Sequence, residues 1–243
     1  MVHKKQRKKR GSIVRIIVVI LAVLVVIQIV SLVLLYVSVG SYKKFWTQKA
    51  KEPGEIIYLA LGDSAAQGIG ATSPMRGYVG LVAKRLESET GKKVKIINVS
   101  VTGATIADAL RDQIPQIQSI KPDVTTIEIG ANDIKTFQPE KFEKEFSKLL
   151  TYLPKGTYVS DMPLFNSRPS STEPANKASV IIRKLVQDNP DLRQVNLEQQ
   201  TTSNQSIFGF APDLFHPNNS SYQNWADAFW EQMQDSIKIS KRT

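Results

Sequence analysis

Residues 56–70 read IIYLALGDSAAQGIG, and the fold is decided by the change of character inside them. Six apolar residues, 56–61, stop at Gly62-Asp63-Ser64. A short apolar run rich in β-branched and aromatic side chains and closed by a glycine reads as a buried strand. Working outward, residues 94–99, 124–129, 157–160 and 193–197 repeat the pattern. Between them lie stripes at helical spacing: Val79, Val82, Ala83 and Leu86; Ile106, Leu110, Ile114 and Ile117; Phe142, Phe146, Leu149 and Leu150; Ala178, Ile181, Ile182 and Leu185. An aromatic-rich stripe from Tyr222 through Trp225 and Phe229 to Met233 follows the last strand. Strands alternating with helices predict a three-layer α/β domain of about five parallel strands, with Pro115 bending the second helix. Ligands in such sheets bind outside the carboxyl ends of the strands.

Upstream, residues 16–39 are almost wholly Ile, Val and Leu and carry no charge. At 1.5 Å per residue they reach roughly 36 Å, enough to cross a hydrocarbon core of ~30 Å. The run is longer than the apolar region of a cleaved secretory signal. Most of the +10 net charge lies in front of it, in Lys4, Lys5, Arg7, Lys8, Lys9, Arg10 and Arg15. That bias predicts a single-pass protein of the cell membrane with a cytoplasmic N-terminus and its globular part outside, against the pull of Lys43, Lys44, Lys49 and Lys51. The expected organisation is a basic tail (1–15), a transmembrane helix (16–39), a linker (40–54) ending in Pro53-Gly54, and one domain (55–243). The basic segment faces a membrane in this reading, and no nucleic-acid partner is expected.

Chemistry is sought where strands end. Gly62-Asp63-Ser64 presents a hydroxyl after the first strand, although the same triplet also serves as an ordinary turn and helix cap. A serine nucleophile needs a base, and the chain holds only His3, in the tail, and His216. His216 stands in Asp213-Leu214-Phe215-His216-Pro217, where an i, i+3 spacing lets the Asp213 carboxylate orient the imidazole. After the second strand comes Gly103, and after the third Gly130-Ala131-Asn132-Asp133; both are able to supply donors to an oxyanion or to be plain turns. One usable histidine and no cysteine leave no donor set for a catalytic metal. Gly68-Ile69-Gly70 lacks the third glycine of a dinucleotide loop, so no cofactor is expected.

In this order the four blocks resemble the SGNH (GDSL-type) hydrolases over residues 56 to about 238, with Ala65 in place of the usual leucine. The resemblance implies a flavodoxin-like fold. It implies Ser64 as nucleophile, Asp213 and His216 as the rest of the triad, and the Ser64 N–H, Gly103 and Asn132 as oxyanion hole. It further implies a serine ester hydrolase (GDSL-type esterase/lipase) acting on lipid or carbohydrate esters, with deacetylation of envelope carbohydrate as the expectation. A lysophospholipase, a thioesterase or an acyltransferase fits the same residues, and a tethered carbohydrate-binding protein is the non-catalytic alternative. The loops 70–77, 161–175 and 199–213, with Arg76 and Arg168, are expected to line the cleft. Nothing in the sequence speaks to oligomeric state.

Overall fold

The structure, a computed structural model, describes residues 2–165, 167–204, 206 and 208–240, with side chains described from Val14 onward except at Asp235 and residues 237–240. The side chains of His3 and of the lysines and arginines at 4–10 therefore lie outside the described residues. The chain forms two compact units, Met1–Ser38 and Val39–Thr243. Helix α1 is Val2–Lys49, and within it Val14–Lys49 is long and apolar enough to cross a membrane, its most apolar 18 residues having a mean hydropathy of 3.4.

The stretch expected as a linker departs from that reading. Residues 40–49 are helical, and the second unit begins at Val39 rather than near Glu55. The cause is aromatic burial: Tyr42 and Trp46, one turn apart, are almost fully buried within this unit, which a free linker cannot achieve.

The sheet has β1 (Ile56–Gly62), β2 (Val94–Asn98), β3 (Val124–Glu128), β4 (Thr157–Ser160) and β5 (Leu192–Val195), all parallel, in the order β2-β1-β3-β4-β5. Five parallel strands are what the sequence predicts. The helices are α2 (Ser64–Gln67), α3 (Tyr78–Thr90), α4 (Ile106–Asp108), α5 (Ile114–Ile117), α6 (Pro139–Leu150), α7 (Pro169–Gln187), α8 (Leu197–Asn204) and α9 (Asn219–Ser240). Successive strand residues point to opposite faces. Tyr58 and Ala60 of β1 enter a core with Val79, Leu86, Trp225 and Phe229, while Leu59 and Leu61 enter a second core with Ile106, Phe146 and Ile182. Apolar side chains on both faces suit a strand covered by helices on both sides.

Three local differences from the sequence reading have physical causes. Pro115 does not simply bend its helix: residues Ala109–Gln113 form a π-turn between α4 and α5, closed by Ile114 N–H on Ala109 O. The wider turn accommodates a residue that has no N–H and whose ring crowds the preceding carbonyls. The loop expected at 199–213 begins instead with α8, which is capped from afar by Asp161 Oδ1 accepting the Glu198 N–H at 2.9 Å. The loop expected to reach Ala175 stops at Arg168, because Pro169 opens α7 at a position where its missing N–H costs nothing.

Reversal of strand order around β1 leaves a crevice at the carboxyl ends of β1 and β3. Gly62 is paired with Glu128 there.

Candidate active site

The end of β1 is held before the serine is reached. Gly62 has φ +143, and a Cβ on it would stand 2.1 Å from the Glu128 carbonyl oxygen, so only glycine lets β1 and β3 come this close. Gln113, fully buried in the π-turn, grips the same residue twice: its Oε1 accepts the Gly62 N–H at 3.0 Å and its Nε2 donates to Gly62 O at 2.7 Å. Asp63 then caps α2, its Oδ1 accepting the Ala65 N–H at 3.0 Å. Ser64 is the first residue of that helix, and its hydroxyl makes a long hydrogen bond to Asp63 Oδ1 at 3.5 Å.

The other blocks arrive from neighbouring strand ends. Gly103 is exposed in the loop after β2, and among the described residues neither its N–H nor that of Ser64 has an acceptor. Asn132, after β3, donates its side-chain amide to Asp63 Oδ2 at 3.1 Å and to Ala104 O at 3.0 Å. Both amide protons are thus engaged, and Asn132 reaches an oxyanion only by exchanging one of these acceptors for it. Asp133 ties the two loops together, its Oδ2 accepting the Ile106 N–H at 3.2 Å.

Before α9, Asp213 Oδ2 and His216 Nδ1 stand 2.6 Å apart, and Asp213 Oδ1 accepts the N–H groups of Phe215 at 3.0 Å and His216 at 3.1 Å. Half-burial works to raise the Asp213 carboxyl, but the His216 ring and those two N–H groups outweigh it and hold the acid below its usual range. Leu214, between the pair, takes a left-handed φ of +54, a conformation that costs a branched residue on the order of 1–2 kcal/mol. A turn bond and a long-range one fix it there, Leu214 N–H to Ala211 O at 2.9 Å and Ser167 Oγ to Leu214 O at 2.7 Å.

Ser64 and His216 line one narrow cavity of about 30 Å³. Its apolar wall is Phe165, Phe210, Phe215 and Pro217, with the Arg168 guanidinium 4.3 Å from the centre of the Phe215 ring. The residues lining it include neither Arg76 nor Arg168, and neither Gly103 nor Asn132. Two polar groups that the sequence did not single out also line it. Glu128 is buried with neither carboxyl oxygen partnered, and the Trp225 Nε1 is likewise unpartnered, among the described residues. Burial and the charge of Asp63 push Glu128 well above the ordinary carboxylate range. Burial also pushes Asp63 up to about 6, against the Ala65 N–H, the His216 charge and the Ser64 hydroxyl. A wider surface hollow of about 380 Å³ contains Asp161 and Glu198, but Arg183 pairs with both, which suits a structural network better than a reactive one.

Two curated relatives align at 29% identity: the GDSL-like esterase Rv1075c of Mycobacterium tuberculosis over 102 residues, 41% of this chain and 32% of that protein, and the esterase TesA of Pseudomonas aeruginosa over 92 residues, 37% and 45%. The chain therefore matches less than half the length of either. Similar solved structures include an acetylxylan esterase from Geobacillus stearothermophilus (TM-score 0.59, 20% identity, 74% of this chain and 94% of that one). A lipase/acylhydrolase from Enterococcus faecalis is another (TM-score 0.62, 19% identity, 74% and 96%). These likenesses establish the fold. The profile of the GDSL-like Lipase/Acylhydrolase family matches residues 60–224, about two thirds of the sequence and every block of the site, and the chain belongs to that family.

Proposed function

We propose that the protein is a serine ester hydrolase tethered to the cell membrane by α1, with its hydrolase unit outside. The observation that carries the reading is the 2.6 Å Asp213–His216 pair opening on the same cavity as Ser64. In this mechanism the imidazole, held by Asp213 through Nδ1, takes the Ser64 proton at Nε2 as Oγ attacks the ester carbonyl. The N–H groups of Ser64 and Gly103 receive the oxyanion, with Asn132 turning from Ala104 O to join them. His216 returns its proton to the departing alkoxide, and a water molecule activated in the same way releases the acid from Ser64. The narrow, aromatic-walled cavity favours small acyl groups, and an acetyl ester of an envelope carbohydrate is the substrate class proposed. The tail charges and the apolar helix support the orientation, with the N-terminus in the cytoplasm.

The test is hydrolysis of acetyl, butyryl and long-chain activated esters by the detergent-solubilised chain, together with labelling by a fluorophosphonate. Turnover that is greatest for acetyl, lost in Ser64→Ala and His216→Ala, with the label on Ser64, is expected. A folded protein that neither turns over nor labels would exclude an esterase, and a preference for long chains would move it to lipid substrates.

A further inference from the structure

The segment that follows the serine is pinned through its main chain. The carbonyls of Gln67, Ile69 and Ala71 are each taken by a buried aromatic donor: Trp46 Nε1 to Gln67 O at 3.0 Å, Tyr222 Oη to Ile69 O at 2.6 Å, and Tyr42 Oη to Ala71 O at 2.6 Å. Tyr222 comes from α9, whereas Tyr42 and Trp46 come from the end of α1, directly after the apolar run. Trp46 is 2% exposed and Tyr42 8%, and Phe45 packs edge-on against Trp46 at 5.1 Å.

This segment touches both halves of the site. Ile69 N–H closes back on Ser64 O at 3.0 Å, so the turn carrying Ser64 is tied to it on one side. On the other side Gly70, at φ +95, lies so near the histidine loop that a Cβ would meet Pro217 O at 2.3 Å and the His216 Cβ at 2.8 Å. Residues 67–71 are therefore the spacer between nucleophile and base, and two of their three aromatic clamps belong to the stretch that continues from the membrane helix.

We propose that Tyr42 and Trp46 are positioning residues of the hydrolase site: by holding the Ala71 and Gln67 carbonyls they set the spacing of Ser64 and His216. The proposal rests on the ester hydrolase reading for its effect on turnover, but the clamp itself is a separate structural claim. It assigns to the juxtamembrane turns a catalytic purpose beyond tethering. Cleavage in the loop at 50–54 followed by loss of α1 would release a hydrolase unit stripped of two clamps, so full activity belongs to the anchored chain. The hydroxyl and the indole N–H do not touch substrate in this scheme; they act through main-chain carbonyls.

The experiment uses the full chain in detergent micelles and the double variant Tyr42→Phe/Trp46→Phe, which keeps two rings and removes two donors. Two hydrogen bonds of ordinary net strength correspond to a fall in kcat on the order of thirtyfold, with KM within about twofold, because the substrate cavity is untouched. A merely structural role would lower the melting temperature and leave kcat per folded molecule unchanged, and that result would overturn the proposal. Hydrogen–deuterium exchange supplies the second arm. Amides of Gly68, Ile69 and Ala71 are expected to exchange faster in the double variant while those of β3 and β4 keep their rates; unchanged exchange at 68–71 would refute the clamp. If wild type itself hydrolyses nothing, the enzyme reading falls, and the exchange result still decides on the clamp.

Discussion

Replacing Gln113 by leucine isolates the double hydrogen bond that fixes the end of β1. Leucine has a similar volume, so the core loses little packing, but Gly62 N–H is left without a partner in a site closed to water, while Gly62 O keeps the Val101 N–H at 3.2 Å. The orphaned donor costs about 1–3 kcal/mol. For a unit of about 200 residues this is a fall in melting temperature of roughly 2–12 °C. Gln113→Glu refines the test. A carboxyl at this place can accept from Gly62 N–H in either form, but it donates to Gly62 O only while protonated. Its folded pKa is therefore raised, so its stabilising contribution is complete at acid pH and is lost as pH rises through that raised value. Thermal unfolding of the solubilised chain, followed by near-ultraviolet circular dichroism at pH 5 and pH 8, is the assay. Gln113→Glu should resemble wild type more closely at pH 5 than at pH 8, and Gln113→Leu should be weakened equally at both. A Gln113→Leu protein that melts within a degree of wild type would show that the Gly62 clamp contributes nothing, and the reasoning would be wrong.

Two further outcomes are expected. Asn132→Ala should lower kcat by about 10²–10³, the scale of one oxyanion donor, and leave the fold intact; a loss below threefold would remove Asn132 from the oxyanion hole. Glu128→Gln should match wild type in melting temperature at acid pH and exceed it at pH 9, because the buried Glu128 favours its neutral form and the stability tied to that proton disappears as pH climbs through its raised pKa. Equal alkaline losses in both proteins would show that another group carries the dependence.

The strands were legible because each is a short run with its own punctuation, and their observed ends fall within one or two residues of the predicted ones. The blocks of the proposed site could be picked out for a related reason: Ser64, Gly103 and Asn132 each follow a strand end, and a single histidine outside the tail leaves one candidate base. Gln113 was missed although a signal existed. It falls on the apolar stripe of Ile106, Leu110 and Ile117, where a polar residue needs a buried partner. Tyr42 and Trp46 were missed because lysines around them mask an i, i+4 aromatic pair. Helix α8 was not foreseeable from its own residues, which are polar apart from Leu197, since the cap that starts it is Asp161, 37 positions before Glu198. Glu128 looked like one more strand residue, and only the closeness of Asp63 and the missing partners distinguish it. Apart from the π-turn before Pro115 and the start of α7 at Pro169, what escaped was a contact between distant parts of the chain, which no local pattern encodes.

The separation of Ser64 from the Asp213–His216 loop also imposes an order in time. The two lie about 150 residues apart in the chain, and at a synthesis rate of 5–20 residues per second the serine exists for roughly 8–30 s before its histidine does. Throughout that interval Ser64 is an ordinary alcohol. The loop that carries the imidazole can settle only when Ser167 and Ala211 are both in place to hold Leu214 in its left-handed turn. In the proposed mechanism, arming of the nucleophile thus coincides with completion of the fold, and a chain still emerging from the ribosome passes esters without attacking them.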